Sequence, residues 1–104
     1  MPSRLDILRE MLIKEPHDAF LNYAFALELE KENKVTEAVK VIEKIIERDE
    51  DYLGAYYKLG KLYEALGQKE KAASTYERGI TIARKQFNNK TLNELNEALQ
   101  QLEE

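Results

Sequence analysis

The 104-residue chain has no cysteine, only one histidine, two prolines and four glycines. The missing thiol excludes disulfides, thiolate catalysis and cysteine–zinc sites, and is compatible with a reducing cytoplasm. The lone histidine, His17, sits between Pro16 and Asp18 at a helix entry and reads as an ordinary loop residue. Ser3 and Ser74 lie far from it in the expected fold, so no Ser-His-Asp relay emerges. There is no glycine-rich phosphate loop. Asp49-Glu50-Asp51 lacks the glycine and terminal glutamate that a calcium loop requires. No enzymatic activity, cofactor or metal is therefore expected. Apolar runs are too short to span a membrane, and the opening residues carry no secretory pattern.

Charge is uneven. Residues 1–52 hold 13 acidic and 8 basic groups, giving −5, while residues 53–104 hold 7 and 8, giving +1. An acidic front half argues against nucleic-acid binding, which needs a continuous basic surface.

Few breakers and abundant Glu, Lys, Leu and Ala predict a mostly helical single domain. Six helices can be read. The first covers about Ser3–Lys14, with Ser3 and Asp6 spaced as a capping box, Leu5, Leu8, Met11 and Leu12 on one face, and Pro16 as its stop. The second follows the N-cap Asp18 to about Glu32. The third runs from about Thr36 to Arg48 on the stripe Val39, Ile42, Ile45 and Ile46. The fourth spans about Tyr52–Leu66, opened by the acids at 49–51 and ended by Gly67 in a left-handed cap. The fifth covers about Lys69–Gln86. The last is expected to start at a Thr91–Glu94 capping box, with Leu92, Leu95, Leu99 and Leu102 along one side.

Tyr56, Leu59, Gly60 and Tyr63 fall in the order aromatic-x-x-Leu-Gly-x-x-Tyr, followed by Ala72 and Tyr76. This spacing resembles the tetratricopeptide repeat, a 34-residue pair of antiparallel helices. A second copy is read upstream with Phe20, Tyr23, Ala24, Leu27, Ala38 and Ile42 in the matching places. That alignment needs two extra residues in the turn around Lys31–Lys34, which a surface turn tolerates. In it, Tyr23 and Leu27 stand where Leu and Tyr are usual. Gly79 and Glu50 replace a usual Ala and Pro. Gly60 and Ala24 would mark the close helix approaches, with Phe20, Tyr56, Tyr63, Ile42 and Tyr76 filling the space between hairpins.

The resemblance implies an all-α, right-handed superhelix of antiparallel hairpins, like that of small bacterial two-repeat proteins. Residues 1–16 would form an N-terminal capping helix, 17–50 and 51–86 the two repeats, and 90–104 a C-terminal capping helix. It also implies an interaction module that presents a concave peptide-binding groove, as scaffold or adaptor. The lining carried over from the family is Leu21, Asn22, Phe25, Glu28 and Leu29 from the first repeat, and Tyr57, Lys58, Lys61 and Glu64 from the second. Phe25 and Tyr57 would be its aromatic anchors, or would pack on the first and last helices instead. Lys58 and Lys61 would meet an acidic peptide, or Lys61 would pair with Glu64. Asn22 would bond a ligand backbone or stand unpartnered. The family's two-carboxylate clamp is not expected, because Leu21, Phe25 and Lys58 occupy places it needs for other residues. The partner is a protein or peptide of unknown identity. Two alternatives stand beside this reading: a homodimer assembled through the leucine stripe of the last helix, and a repeat segment of a larger enzyme. The initiating Met1 and the two end helices weigh against the latter.

Overall fold

A computed structural model describes residues 1–104 as six helices. They are α1 (Arg4–Lys14), α2 (Ala19–Lys31), α3 (Val35–Arg48), α4 (Gly54–Ala65), α5 (Lys69–Lys85) and α6 (Asn89–Glu103). Each helix packs on its neighbour in the chain, and α4 also touches α6. The result is an elongated stack of about 44 × 28 × 20 Å.

Side-chain caps begin three of the helices. The Ser3 hydroxyl accepts from the Asp6 amide at 3.1 Å, and the Asp6 carboxylate accepts from the Ser3 amide at 3.3 Å, the expected capping box. The Asp18 carboxylate accepts from the Leu21 amide at 2.9 Å. The sixth helix departs from expectation. Its N-cap is Asn88, whose side chain accepts from the Thr91 amide at 3.0 Å, so Thr91 lies inside the first turn rather than before it. The fourth helix also differs, starting at Gly54 while Asp49 caps the end of α3 and accepts from the Asp51 amide. The acids thus build the turn between hairpins and leave the first turn of α4 uncapped.

Three connections share one geometry. Asn33, Gly67 and Phe87 have φ of 62°, 73° and 56°. The amide after each returns to the carbonyl five positions back: Lys34 to Leu29, Gln68 to Tyr63 and Asn88 to Ala83, each at 2.9 Å. This is the Schellman closure of a helix, and it reverses the chain sharply. It also explains why α6 begins early, since Asn88 is already in position to cap.

One constant step, that from Asn33 to Gly67, relates the two hairpins throughout, with no insertion. By the same step Leu29 matches Tyr63, Ala38 matches Ala72 and Ile42 matches Tyr76. The partner of Gly60 is therefore Ala26, 1% exposed, and the half-buried Ala24 does not hold that place. Phe20, expected between hairpins, is 71% exposed. The correction arises because α2 carries both Ala24 and Ala26, and only tertiary packing tells which faces α3.

The two helices of the second hairpin approach closely at Gly60. A Cβ there would lie 2.1 Å from the ring of Tyr76, which is fully buried and whose hydroxyl donates to Glu64. Gly79 does similar work one turn further along α5, where a Cβ would stand 2.7 Å from Tyr56 and 3.0 Å from Leu95. Leu95 is itself fully buried, and Leu92, Leu99 and Leu102 pack against the same core. The leucine stripe of α6 is thus covered within the chain. In α1, Leu5 and Leu8 are buried while Met11 stays largely exposed.

Two outcomes follow for stability. Gly60→Ala lowers it by about 1–3 kcal/mol despite alanine's better helix propensity, because the Tyr76 ring has no room to yield. Thermal melting with far-ultraviolet dichroism checks this; an unchanged midpoint contradicts the close crossing. Phe87→Gly raises stability by about 0.5–1 kcal/mol, because a left-handed backbone strains a bulky side chain that is 89% exposed and contributes little packing. A loss in urea unfolding would show instead that the Phe87 ring makes contacts of its own.

Candidate functional site

The residues expected to line a groove fall into two groups. From the first hairpin, Leu21 and Leu29 are buried and belong to the core. Asn22 is engaged locally, its amide donating to the carbonyls of Pro16 at 3.0 Å and Asp18 at 2.9 Å. Glu28 is enclosed by Arg4 at 2.9 Å and Lys31 at 3.5 Å. Phe25 is half-buried, with the Arg9 guanidinium 5.6 Å from its ring centroid. Arg9 belongs to α1, so Phe25 packs toward that helix.

Of the second-hairpin residues, Tyr57, Lys61 and Glu64 lie beside one another, while Lys58 turns toward α2. Tyr57 is 36% exposed; its ring leans on Tyr76 with centroids 6.3 Å apart, and the Lys61 amine lies 5.5 Å from its centroid. Lys61 also meets Glu64 at 3.7 Å. The Lys58 amine reaches across to Glu30 on α2 at 2.7 Å. That ion pair ties the first helices of the two hairpins side by side. Pairs this exposed add at most about 1 kcal/mol, so their main effect is to order the surface.

Tyr23 lies outside the expected lining. It stands exactly one repeat step before Tyr57, and its ring lies 6.0 Å from that of Tyr52. Tyr23, Tyr52, Asp49, Asp51, Leu53 and Gly54 border a hollow of about 330 Å³ at the junction of the hairpins. The signal was present in the constant step and was hidden by the misalignment of the first repeat. By the constant step Tyr23, and not Phe25, is the positional equivalent of Tyr57.

Tyrosines dominate the electrostatics. Burial raises the phenol pKa of Tyr23, and Glu30 adds to the effect. Burial likewise raises Tyr52, helped by Tyr23, Asp18 and Asp49, and Tyr56, where Arg78 opposes and Glu50 and Asp51 assist. Tyr63 is pushed up to about 12 by burial and by donating to Glu43, and Tyr76 goes higher still through burial and Glu64. No three His, Asp or Glu side chains converge as metal ligands would, and no helix is long and apolar enough to cross a membrane.

Sequential helical hairpins related by one constant step define a class of repeat proteins whose units are stabilised by stacking on one another. The family model for the tetratricopeptide repeat matches residues 21–52 and 53–86, and the chain belongs to that family. It is 42% identical to a tetratricopeptide repeat domain protein from Salinibacter ruber. The solution structure of that protein has a TM-score of 0.82, covering 85% of this chain and 89% of that one. A crystal structure of a Salinibacter ruber tetratricopeptide repeat domain protein, also 42% identical, covers 83% and 97% with a TM-score of 0.78. The TPR2B domain of yeast Sti1, solved in complex with pHsp70, shares the fold at 22% identity with a TM-score of 0.87, covering 95% and 79%. No curated protein matches the chain.

The raised phenols set a pH dependence. Well below pH 10 these groups are protonated in both states. Above it the unfolded chain releases protons that the folded chain retains, so the folded state loses stability as pH rises. Urea unfolding should therefore show stability falling between pH 10 and about 12, where Tyr63 itself ionises, with Tyr76 extending the loss upward. Tyrosinate absorbance that completes an ordinary titration near pH 10 in a chain that is still helical contradicts this.

Proposed function

We propose that the chain is an interaction module, a scaffold or adaptor that holds a peptide segment of another protein along the face shared by α2 and α4. The single observation that carries the reading is the placement of Tyr23 and Tyr57, one repeat step apart on equivalent turns of successive first helices. Both rings are partly open, and both are flanked by charge, Glu30 and Lys58 near one and Lys61 and Glu64 near the other. Aromatic anchors with a polar rim are the usual anatomy of a protein interface. The family's general role in protein interaction supports the reading, as does the Sti1 domain of the same fold, solved with pHsp70.

In this proposal Tyr57, Lys58, Lys61 and Glu64 remain from the expected lining, joined by Tyr23 and Glu30. Residues 1–16 and 90–104 serve as end helices to the hairpins at 17–50 and 51–86. A cysteine-free chain suits a reducing compartment such as the cytoplasm. Self-assembly through α6 is disfavoured, because its leucines already pack on the core.

A peptide-display library selected on the intact chain, followed by anisotropy measurements on the enriched peptides, tests the proposal. Replacing both Tyr23 and Tyr57 with Ala weakens those peptides by at least about tenfold, the loss of one interface anchor, while the helical dichroism persists. Undiminished binding to the folded double variant places the site elsewhere.

A further inference from the structure

The two hairpins match at a constant step, and one position breaks the match in a way that leaves room for a ligand. In the second hairpin Tyr56 is buried beside α5. Its hydroxyl donates to the Glu50 carbonyl at 2.6 Å, the Arg78 guanidinium lies 5.5 Å from its ring centroid, and its Cβ abuts Gly79. One repeat step earlier, Tyr56, Glu50, Arg78 and Gly79 are replaced by Asn22, Pro16, Lys44 and Ile45. Asn22 makes the equivalent hydrogen bond, to the carbonyl six positions back, but it brings no ring. The place of the ring is partly open, the buried Ile45 taking its depth. A cavity of about 550 Å³ lies there, bordered by Asn22, Pro16, Lys44, Ile45, Val41 and Arg48 among others.

We propose that this cavity is a second binding site, separate from the α2–α4 face, and that it takes the phenol ring of a tyrosine side chain from a partner. The second hairpin supplies the template for that contact. Its own tyrosine ring is held by a backbone carbonyl at the hydroxyl, a cation near the ring face, and α5 along the edge. In the first hairpin the Pro16 carbonyl keeps an unused lone pair beside its bond from Asn22. Lys44 holds the place of Arg78 and supplies the cation for the ring. Val41 and Ile45 give the apolar wall. Ile45 is buried where Gly79 leaves space, so it takes the depth of the seat and the rest opens outward. The volume falls within the range of roughly 300–1,000 Å³ typical of ligand pockets. Lys44 and Arg48 are offset by Glu47 and Asp49 on the same rim, so the seat selects a neutral ring over an anion.

The probe is N-acetyltyrosinamide, titrated into the isotope-labelled chain and followed by amide chemical shifts, with N-acetylalaninamide as the control. Saturating shifts are expected at Asn22, Lys44 and Ile45 with the tyrosine compound alone. Asn22→Tyr, which supplies the ring from within, should abolish them. Lys44→Ala, at an exposed position, should weaken binding severalfold with the fold intact, and it decides the matter if Asn22→Tyr disturbs packing. Equal shifts from the alanine control overturn the proposal. So do shifts confined to the Tyr23–Tyr57 face, no shifts at all, or binding undiminished in Lys44→Ala.

Discussion

The contact on which the second hairpin depends is the one between the backbone of α4 at Gly60 and the ring of Tyr76. No side chain separates them, so the two helices approach as closely as an aromatic ring allows. The ring cannot turn aside, because it is fully buried and its hydroxyl is tied to Glu64 on the same helix as Gly60. The first hairpin solves the same crossing with Ala26 and Ile42, a larger residue on the first helix and a smaller one on the second. A close-packed interior fixes the summed volume at such a site while leaving the residue identities open.

Spacing therefore repeats while contents vary, and the surface inherits both properties. The constant step sets Tyr23 and Tyr57 at equivalent positions and lets Lys58 reach Glu30 across the hairpin boundary. The variable contents do the opposite. Having Asn22 and Ile45 where the second hairpin has Tyr56 and Gly79 puts the bulk on the second helix of the hairpin instead of the first, beside a hollow bordered by both residues. A regular scaffold thus offers a shared face between hairpins and an irregular feature unique to one of them.

Much of the fold was legible because its signals were local. Asp18 announced a helix start, Gly67 a helix end, and Tyr56 through Tyr76 a complete repeat. The first repeat was harder to place. Phe20, Tyr23, Ala24 and Leu27 mimic the aromatic and small-residue order of the second, slightly out of register, while the residues that pack, Ala26 and Leu29, carry weak sequence signals. In the expected lining Leu21 and Leu29 are consequently buried, and Asn22 and Glu28 are engaged within the first hairpin and α1. The start of α6 was missed for a different reason. Phe87 adopts a backbone conformation that favours glycine, so nothing in its identity marks the turn.

Each hairpin crossing is specified by a matched pair of volumes, and a double-mutant cycle tests this most directly. Tyr76→Ile alone should leave a void, and Gly60→Ala alone a clash. Together they recreate the Ala–Ile pairing of the first hairpin. Measured by urea unfolding, the double variant should be more stable than the sum of the single changes predicts, by about 1 kcal/mol or more. Additivity within roughly 0.3–0.5 kcal/mol, the behaviour of independent sites, would contradict the account.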